Sequence, residues 1–173
     1  MKLRPPLAAV GLVVAGLLTL SACSAAQFPT EGAQPQRDET SGQVTEGQED
    51  VDVFSIRVGD CINSAAVIEE SQLQSIPVVP CSEEHEDEVY HAFDSSVSGE
   101  EYPGEDVLLD EADTVCAGDA FTEFIGVPFT ESVLDYWPMY PSDGSWASGD
   151  REILCMVYEG ANLLTGSLAG AAR

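Results

Sequence analysis

Apolar residues are spread unevenly along this chain. A run from Leu7 to Leu20 is interrupted only by glycines and Thr19, residues 24–52 hold almost no large apolar side chain, and from 53 onward short apolar segments alternate with turn residues. Residues 56–62 and 75–80 are short and rich in β-branched side chains, and 88–93 alternates polar with apolar, so all three predict strands. Pro77 and Pro80 cannot donate to a ladder, which predicts that the second is an edge strand. Leu109, Ala112, Cys116, Ala120 and Phe124 then recur near helical spacing, with Leu108 and Val115 widening the face. Glu105 and Asp106 would favour the dipole in the first turn, and Gly126 with Pro128 would stop the segment, so a single helix is expected over 105–125. Residues 133–140, 152–158 and 164–168 read as further strands, separated by the turn clusters Pro141-Ser142-Asp143-Gly144 and Glu159-Gly160-Ala161-Asn162. Strands, a helix and more strands predict an α+β domain over 53–173, with one main helix packed on a small, largely antiparallel sheet.

The first apolar run has a different purpose. It follows Met1-Lys2-Leu3-Arg4, is about 14 residues long against the ~20 that a spanning helix needs, and ends in small residues, which is the secretory pattern. Leu20-Ser21-Ala22-Cys23 resembles the bacterial lipobox, which implies that 1–22 is a signal peptide and that Cys23 carries diacylglycerol, with palmitate-type chains. Two or more acyl chains on one residue anchor a protein stably. The expected location is therefore the extracytoplasmic face of the cell membrane, with the lipid anchor as the membrane contact. Residues 23–52 read as the lipidated Cys and a disordered acidic tether. Their Gly, Pro, Gln, Thr and Glu cannot bury enough surface to offset ordering entropy, and a coil of roughly 29 residues reaches about 30 Å.

Charge narrows the classes of partner. The whole chain carries a formal charge of −25, and beyond residue 22 only Arg37, Arg57, Arg151 and Arg173 stand against 31 acidic residues, with no lysine. Such a chain is repelled by nucleic acid, so DNA and RNA are set aside as partners. Four cysteines remain after Cys23: an even number in an exported domain reads as two disulfides, for which three connectivities are possible. Cys61–Cys81, joining the first two strands, and Cys116–Cys155, pinning the helix to a late strand, are the favoured pairs. A zinc site is disfavoured because no Cys-x-x-Cys occurs, and no metal or other cofactor is expected.

Several short motifs, in order, resemble the septum-formation domain family of actinobacterial lipoproteins and membrane proteins. They are Val58-Gly59-Asp60-Cys61, Val78-Val79-Pro80-Cys81 followed by His85 and Glu88-Val89-Tyr90, Tyr102-Pro103-Gly104, Cys116, Trp146 with Gly149-Asp150-Arg151, Cys155, and Leu164-Thr165-Gly166-Ser167. The resemblance covers nearly all of 56–173 and implies an envelope-facing domain associated with making the division septum. It implies no reaction. Where family members often place basic residues this chain is acidic.

Catalytic constellations are not assembled in the sequence. Gly166-Ser167-Leu168-Ala169-Gly170 puts serine one position too early for a nucleophile elbow, and the absence of lysine after Cys23 removes a Ser-Lys dyad. His85 and His91, six residues apart on one strand, would be separated by about 20 Å, too far to share a metal. His85 lies among Glu83, Glu84, Glu86, Asp87 and Glu88 and reads as a surface or turn histidine in a solvated acidic turn. Arg151 is expected to form a structural ion pair, with Trp146 capping the core. Tyr136, Trp137, Tyr140 and Trp146 lie close enough in sequence to supply a recognition patch, with Arg151 and His85 as further candidates and some of the aromatics taken by the core. The expected function is that of a non-enzymatic envelope domain that binds another envelope or division protein in septation or wall assembly. The rivals are a wall-acting enzyme and a passive surface module.

Overall fold

The computed structural model describes residues 34–65, 67 and 73–173. The expected signal peptide, Cys23 and the first part of the expected tether lie outside the described residues. The domain is built on a six-stranded antiparallel sheet in the order β1-β3-β2-β5-β7-β6: β1 is Gln48–Asp52, β2 Cys61–Ile62, β3 Ser75–Val79, β5 Asp87–Asp94, β6 Asp135–Met139 and β7 Glu152–Tyr158. A second, two-stranded sheet pairs β4 (Glu84–His85) with β8 (Leu164–Thr165). The helices are α1 (Glu105–Cys116), α2 (Asp119–Ile125) and α3 (Asp143–Ala147). The class is α+β as expected, but sheet dominates and, among the described residues, the helical material is divided among three α-helices.

The central strand β7 shows how one alternating sequence supplies two cores. Ile153, Cys155 and Val157 face α1 and α2, where they meet Leu108, Ala112, Cys116, Phe121 and Ile125. Leu154 and Met156 face the other way, against Ile62, Ile76, Val78 and Val89, because the sheet curls and covers that face with its own strands. β5 switches faces through a one-residue register shift between Val89 and His91. Tyr90, at that irregularity, sends its ring against Phe121 (5.8 Å) and Phe124 (5.7 Å) and donates its hydroxyl to the Cys116 carbonyl at the end of α1 (2.6 Å). The disulfides are Cys61–Cys81 and Cys116–Cys155, the favoured pairing.

Four expectations are corrected. The helix over 105–125 is broken at Ala117 and Gly118; a Cβ on Gly118 would sit 2.7 Å from the Thr114 carbonyl oxygen, so only glycine lets the chain turn there. The strand over 56–62 shrinks to Cys61–Ile62, because Arg57 through Asp60 form a turn with Gly59 at φ +91° and the Asp60 carboxylate accepting from the Arg57 N–H. β3 is not an edge: β1 lies on one side of it and β2 on the other. The β1–β3 register slips between the pairs Gln48↔Val78 and Val51↔Ile76, which accommodates Pro77 where it has no N–H to give. The turn cluster at 141–144 starts α3, with Ser142 and Ser145 forming a reciprocal cap.

The tether reading is also corrected, over 34–52. Val44 and Val51 are buried, β1 extends the sheet, and the Arg37 guanidinium grips both oxygens of buried Asp60 (2.5 and 2.7 Å) while donating to the Ser55 carbonyl (3.1 Å). The polar composition misleads here because the segment docks through backbone pairing and one ion pair rather than through apolar area.

Candidate functional site

β6 presents its side chains alternately to the two cores. Tyr136 and Tyr140 lie on the helix side, where both hydroxyls are committed: Tyr136 donates to Asp113 and Tyr140 to Glu105, each at 2.7 Å. Burial, with the carboxylate beside it, pushes the Tyr140 phenol up to about 12 and Tyr136 higher still. These tyrosines fasten α1 to the sheet edge. Trp137 and Met139 point the other way and pack against the strand-covered core.

Trp146 does not join a surface patch, because α3 carries it into the helix-side core at 1 % exposure. The Arg151 guanidinium stacks over its ring at 3.6 Å and donates to the carbonyls of Trp146 (2.9 Å), Gly99 (2.9 Å) and Asp150. The expected carboxylate partner for Arg151 is thus replaced by three backbone carbonyls and an aromatic face, an arrangement suited to a planar guanidinium.

Two hollows meet at Trp137. The larger, about 580 Å³, lies between Val53, Phe54 and Leu73 on one wall and Trp137, Met139 and Leu154 on the other. Glu105, Asp143, Asp150 and Glu152 also line it. Burial raises the Glu152 carboxyl above its ordinary range, and the charges of Asp150 and Asp94 push it the same way. Phe54 stands 68 % exposed at this hollow, a large apolar ring held in water by the short 3-10 turn that follows β1.

The smaller hollow, about 420 Å³, has Ser64, Glu86, Asp87, Tyr158 and the exposed Leu163 around Trp137. Asp87 is buried, and its two oxygens accept from Trp137 Nε1 (2.7 Å) and the Ser64 hydroxyl (2.5 Å). Burial raises the Asp87 carboxyl, these hydrogen bonds oppose the shift, and the neighbouring Glu86 charge adds to it. Asp87 looked like one more solvated acid in the run 83–88. The alternation of β5, which sends it inward, was legible only from residue 88.

The acidic turn is built differently from the expectation. His85 is fully buried within the two-stranded sheet rather than at the surface, with Nδ1 2.9 Å from the Glu83 carbonyl oxygen and Nε2 without a hydrogen-bond partner among the described residues. It is buried because β4 pairs with β8, opposite Leu164. Ser167 gives its hydroxyl hydrogen to buried Glu88 (2.6 Å), which also accepts the Leu168 N–H (2.6 Å), so this serine locks a turn onto β5. A carboxylate oxygen of Glu88 lies within 4.8 Å of the Cys61 and Cys81 sulfurs, but those sulfurs are bonded to each other and offer no thiolate. Of the six residues expected to form a binding surface, then, Trp137 and Tyr140 line the large hollow. Tyr136, Trp146, Arg151 and His85 do not.

A family model described as Septum formation matches residues 58–171. The match takes in both disulfides, all three helices and the Trp137 wall of the hollow, while β1, Val53 and Phe54 on the facing wall precede it. No curated protein and no solved structure matches the chain.

Proposed function

This chain belongs to the septum-formation family, and we propose that it is a lipid-anchored, extracytoplasmic binding domain that holds another envelope or division protein during septum formation. The observation that carries the reading is the hollow beside Trp137. It combines an exposed Phe54, a half-buried Trp137 and Met139 with a rim of carboxylates, the apolar centre and polar rim of a docking surface. The anchor rests on the basic start, the short apolar run and the lipobox-like Leu20-Ser21-Ala22-Cys23. A binding role is preferred to a wall-acting enzyme because Asp87 is engaged with Ser64 and Trp137 and Glu105 with Tyr140, while the other carboxylates lining the large hollow, Asp143, Asp150 and Glu152, have no histidine, lysine or cysteine beside them among the described residues of its lining.

The test expresses tagged wild-type, Cys23→Ala and Trp137→Ala chains in growing cells, with crosslinking, membrane fractionation and localisation as readouts. Wild type should fractionate with membranes, gather at septa and give a discrete crosslinked partner. Cys23→Ala should leave the membrane fraction while keeping its melting temperature. Trp137→Ala should stay in the membrane, folded, and lose the crosslink. Retention of the crosslink by Trp137→Ala would remove the hollow from the binding surface, and turnover of peptidoglycan fragments by the purified protein would replace binding with catalysis.

A further inference from the structure

We infer that the hollow beside Trp137 receives a basic, extended segment of the partner, with lysine or arginine side chains laid along the aromatic wall and their charges on the carboxylate rim. This rests on the proposal that the hollow is the docking surface, and it adds the chemistry of the occupant. The first argument is charge without a counter-charge. Glu105, Asp143, Asp150 and Glu152 all line the hollow, yet beyond residue 22 the chain has four arginines and no lysine with which to neutralise them. Arg37 is held by Asp60, Arg173 by Glu159, and Arg151 by the Trp146 ring and three carbonyls; neither these nor Arg57 lines the hollow. Burial, and after it the charges of Asp150 and Asp94, disfavour the ionised form of Glu152, and a cation arriving from outside would offset both.

The second argument is the wall. Phe54, Trp137, Met139 and Leu154 would give nothing to a hydrated metal ion, but they match the aliphatic stems of lysine and arginine, whose charged ends then reach the rim. Aromatic faces also attract such cations directly. At about 580 Å³ the hollow is of the size that holds an extended organic ligand rather than a single ion. Tyr140 is compatible with this occupant, since it gives its hydroxyl hydrogen to Glu105 and leaves that carboxylate's remaining lone pairs for an incoming donor.

A protein this acidic attracts any polycation weakly, so the test must separate the hollow from the overall field. Full-length protein is titrated with a fluorescent nine-residue peptide alternating lysine with leucine, with its ε-acetylated form, and with a glutamate–leucine counterpart. The variant Glu105→Gln/Asp143→Asn/Glu152→Gln neutralises the rim with little change of shape. Asp119→Asn/Glu123→Gln/Glu131→Gln removes the same charge from positions that do not line the hollow. The rim variant should weaken the lysine peptide about three-fold per carboxylate, roughly thirty-fold in all, with the effect shrinking as salt is added. The distal variant should stay within about two-fold of wild type, and neither acetylated nor glutamate peptide should bind appreciably. Equal losses in the two variants, or equal binding of the acetylated peptide, would overturn the inference, and the peptide comparison stands even if a variant folds poorly. In cells the two proposals part company. A crosslink lost in Trp137→Ala but kept in the rim variant leaves the docking surface and removes the basic occupant; a crosslink kept in Trp137→Ala removes the docking surface itself.

Discussion

The two faces of the six-stranded sheet are finished by different means. On the helix side, Ile153, Cys155 and Val157 are covered by α1 and α2, whose Leu108, Ala112, Phe121 and Ile125 are fully excluded from water and whose outer rim is tied down by the Tyr136 and Tyr140 hydroxyls. On the opposite side, Leu154 and Met156 are covered by the strands of the curled sheet together with Val44, Val53, Ile56 and Val67 from its connections, and cover thins at Trp137 and Met139, which are packed against that core but not fully buried. Helices bring their own side chains to a surface and can shift until it is sealed. A sheet that curls must either close its ladder or leave a seam between its end strands, here β1 and β6. Pro138 in β6 lacks an N–H, which suits an end strand and limits further pairing there. The closed face gives stability, and the seam leaves apolar surface exposed, where the proposed partner would dock.

Truncating one large side chain on each face gives the sharpest contrast. Phe121→Ala, on the closed face and stacked edge-on to Tyr90 and Phe129, should lower unfolding free energy by about 3–5 kcal/mol in a denaturant titration. Trp137→Ala, at the seam, should cost less, about 2–3 kcal/mol, because part of the ring already faces the hollows, even though its loss leaves buried Asp87 one hydrogen bond short. Equal losses would mean that the seam is a core like the other and would break the comparison.

The disulfides sharpen the contrast more gently. Cys116–Cys155 pins α1 to β7 on the closed face across a separation of 39 residues, whereas Cys61–Cys81 closes 20 residues among the strands. In the chain-entropy account, replacing each pair with serine should cost roughly 4 and 3 kcal/mol respectively. Calorimetry on the two double variants checks the order, and a larger loss at Cys61–Cys81 would shift the weight of the fold toward the strand side.

What the sequence disclosed follows the same division. Periodic apolar positions placed α1, β5, β6 and β7 nearly where they lie, and cysteine parity with strand order led to the observed disulfides. Elements held by backbone and charge left little trace. β1 buries only Val51 completely, and its neighbour Arg37 finds Asp60 across 23 residues, so composition alone reads the segment as tether. The hollow was half legible: Trp137 and Tyr140 stood out as aromatics, whereas Phe54, Leu73 and Glu152 reach it only because the sheet curls. His85 misled for the converse reason, since a run of acids suggests solvent and says nothing of a two-residue strand pairing with Leu164.

The smallest expected effect tests whether Asp87 serves the seam by charge or by hydrogen bonding. Its folded-state carboxyl is raised by burial, so its favourable contribution is fully present below the unfolded carboxylate range and is lost as pH rises through the higher folded value. Asparagine can keep both contacts, its carbonyl oxygen accepting from Trp137 Nε1 and its amide donating to the Ser64 hydroxyl oxygen, while removing the buried charge. Asp87→Asn should therefore be as stable as wild type at pH 7 or better, by less than about 1 kcal/mol, and that advantage should vanish as pH is lowered toward 4. Thermal unfolding of both proteins across this range measures the difference, in which the other carboxylates cancel to first order. A loss of several kcal/mol at pH 7 would mean that the negative charge itself holds Ser64 and Trp137 in place. The seam would then depend on a buried carboxylate rather than on two hydrogen bonds that an amide can replace.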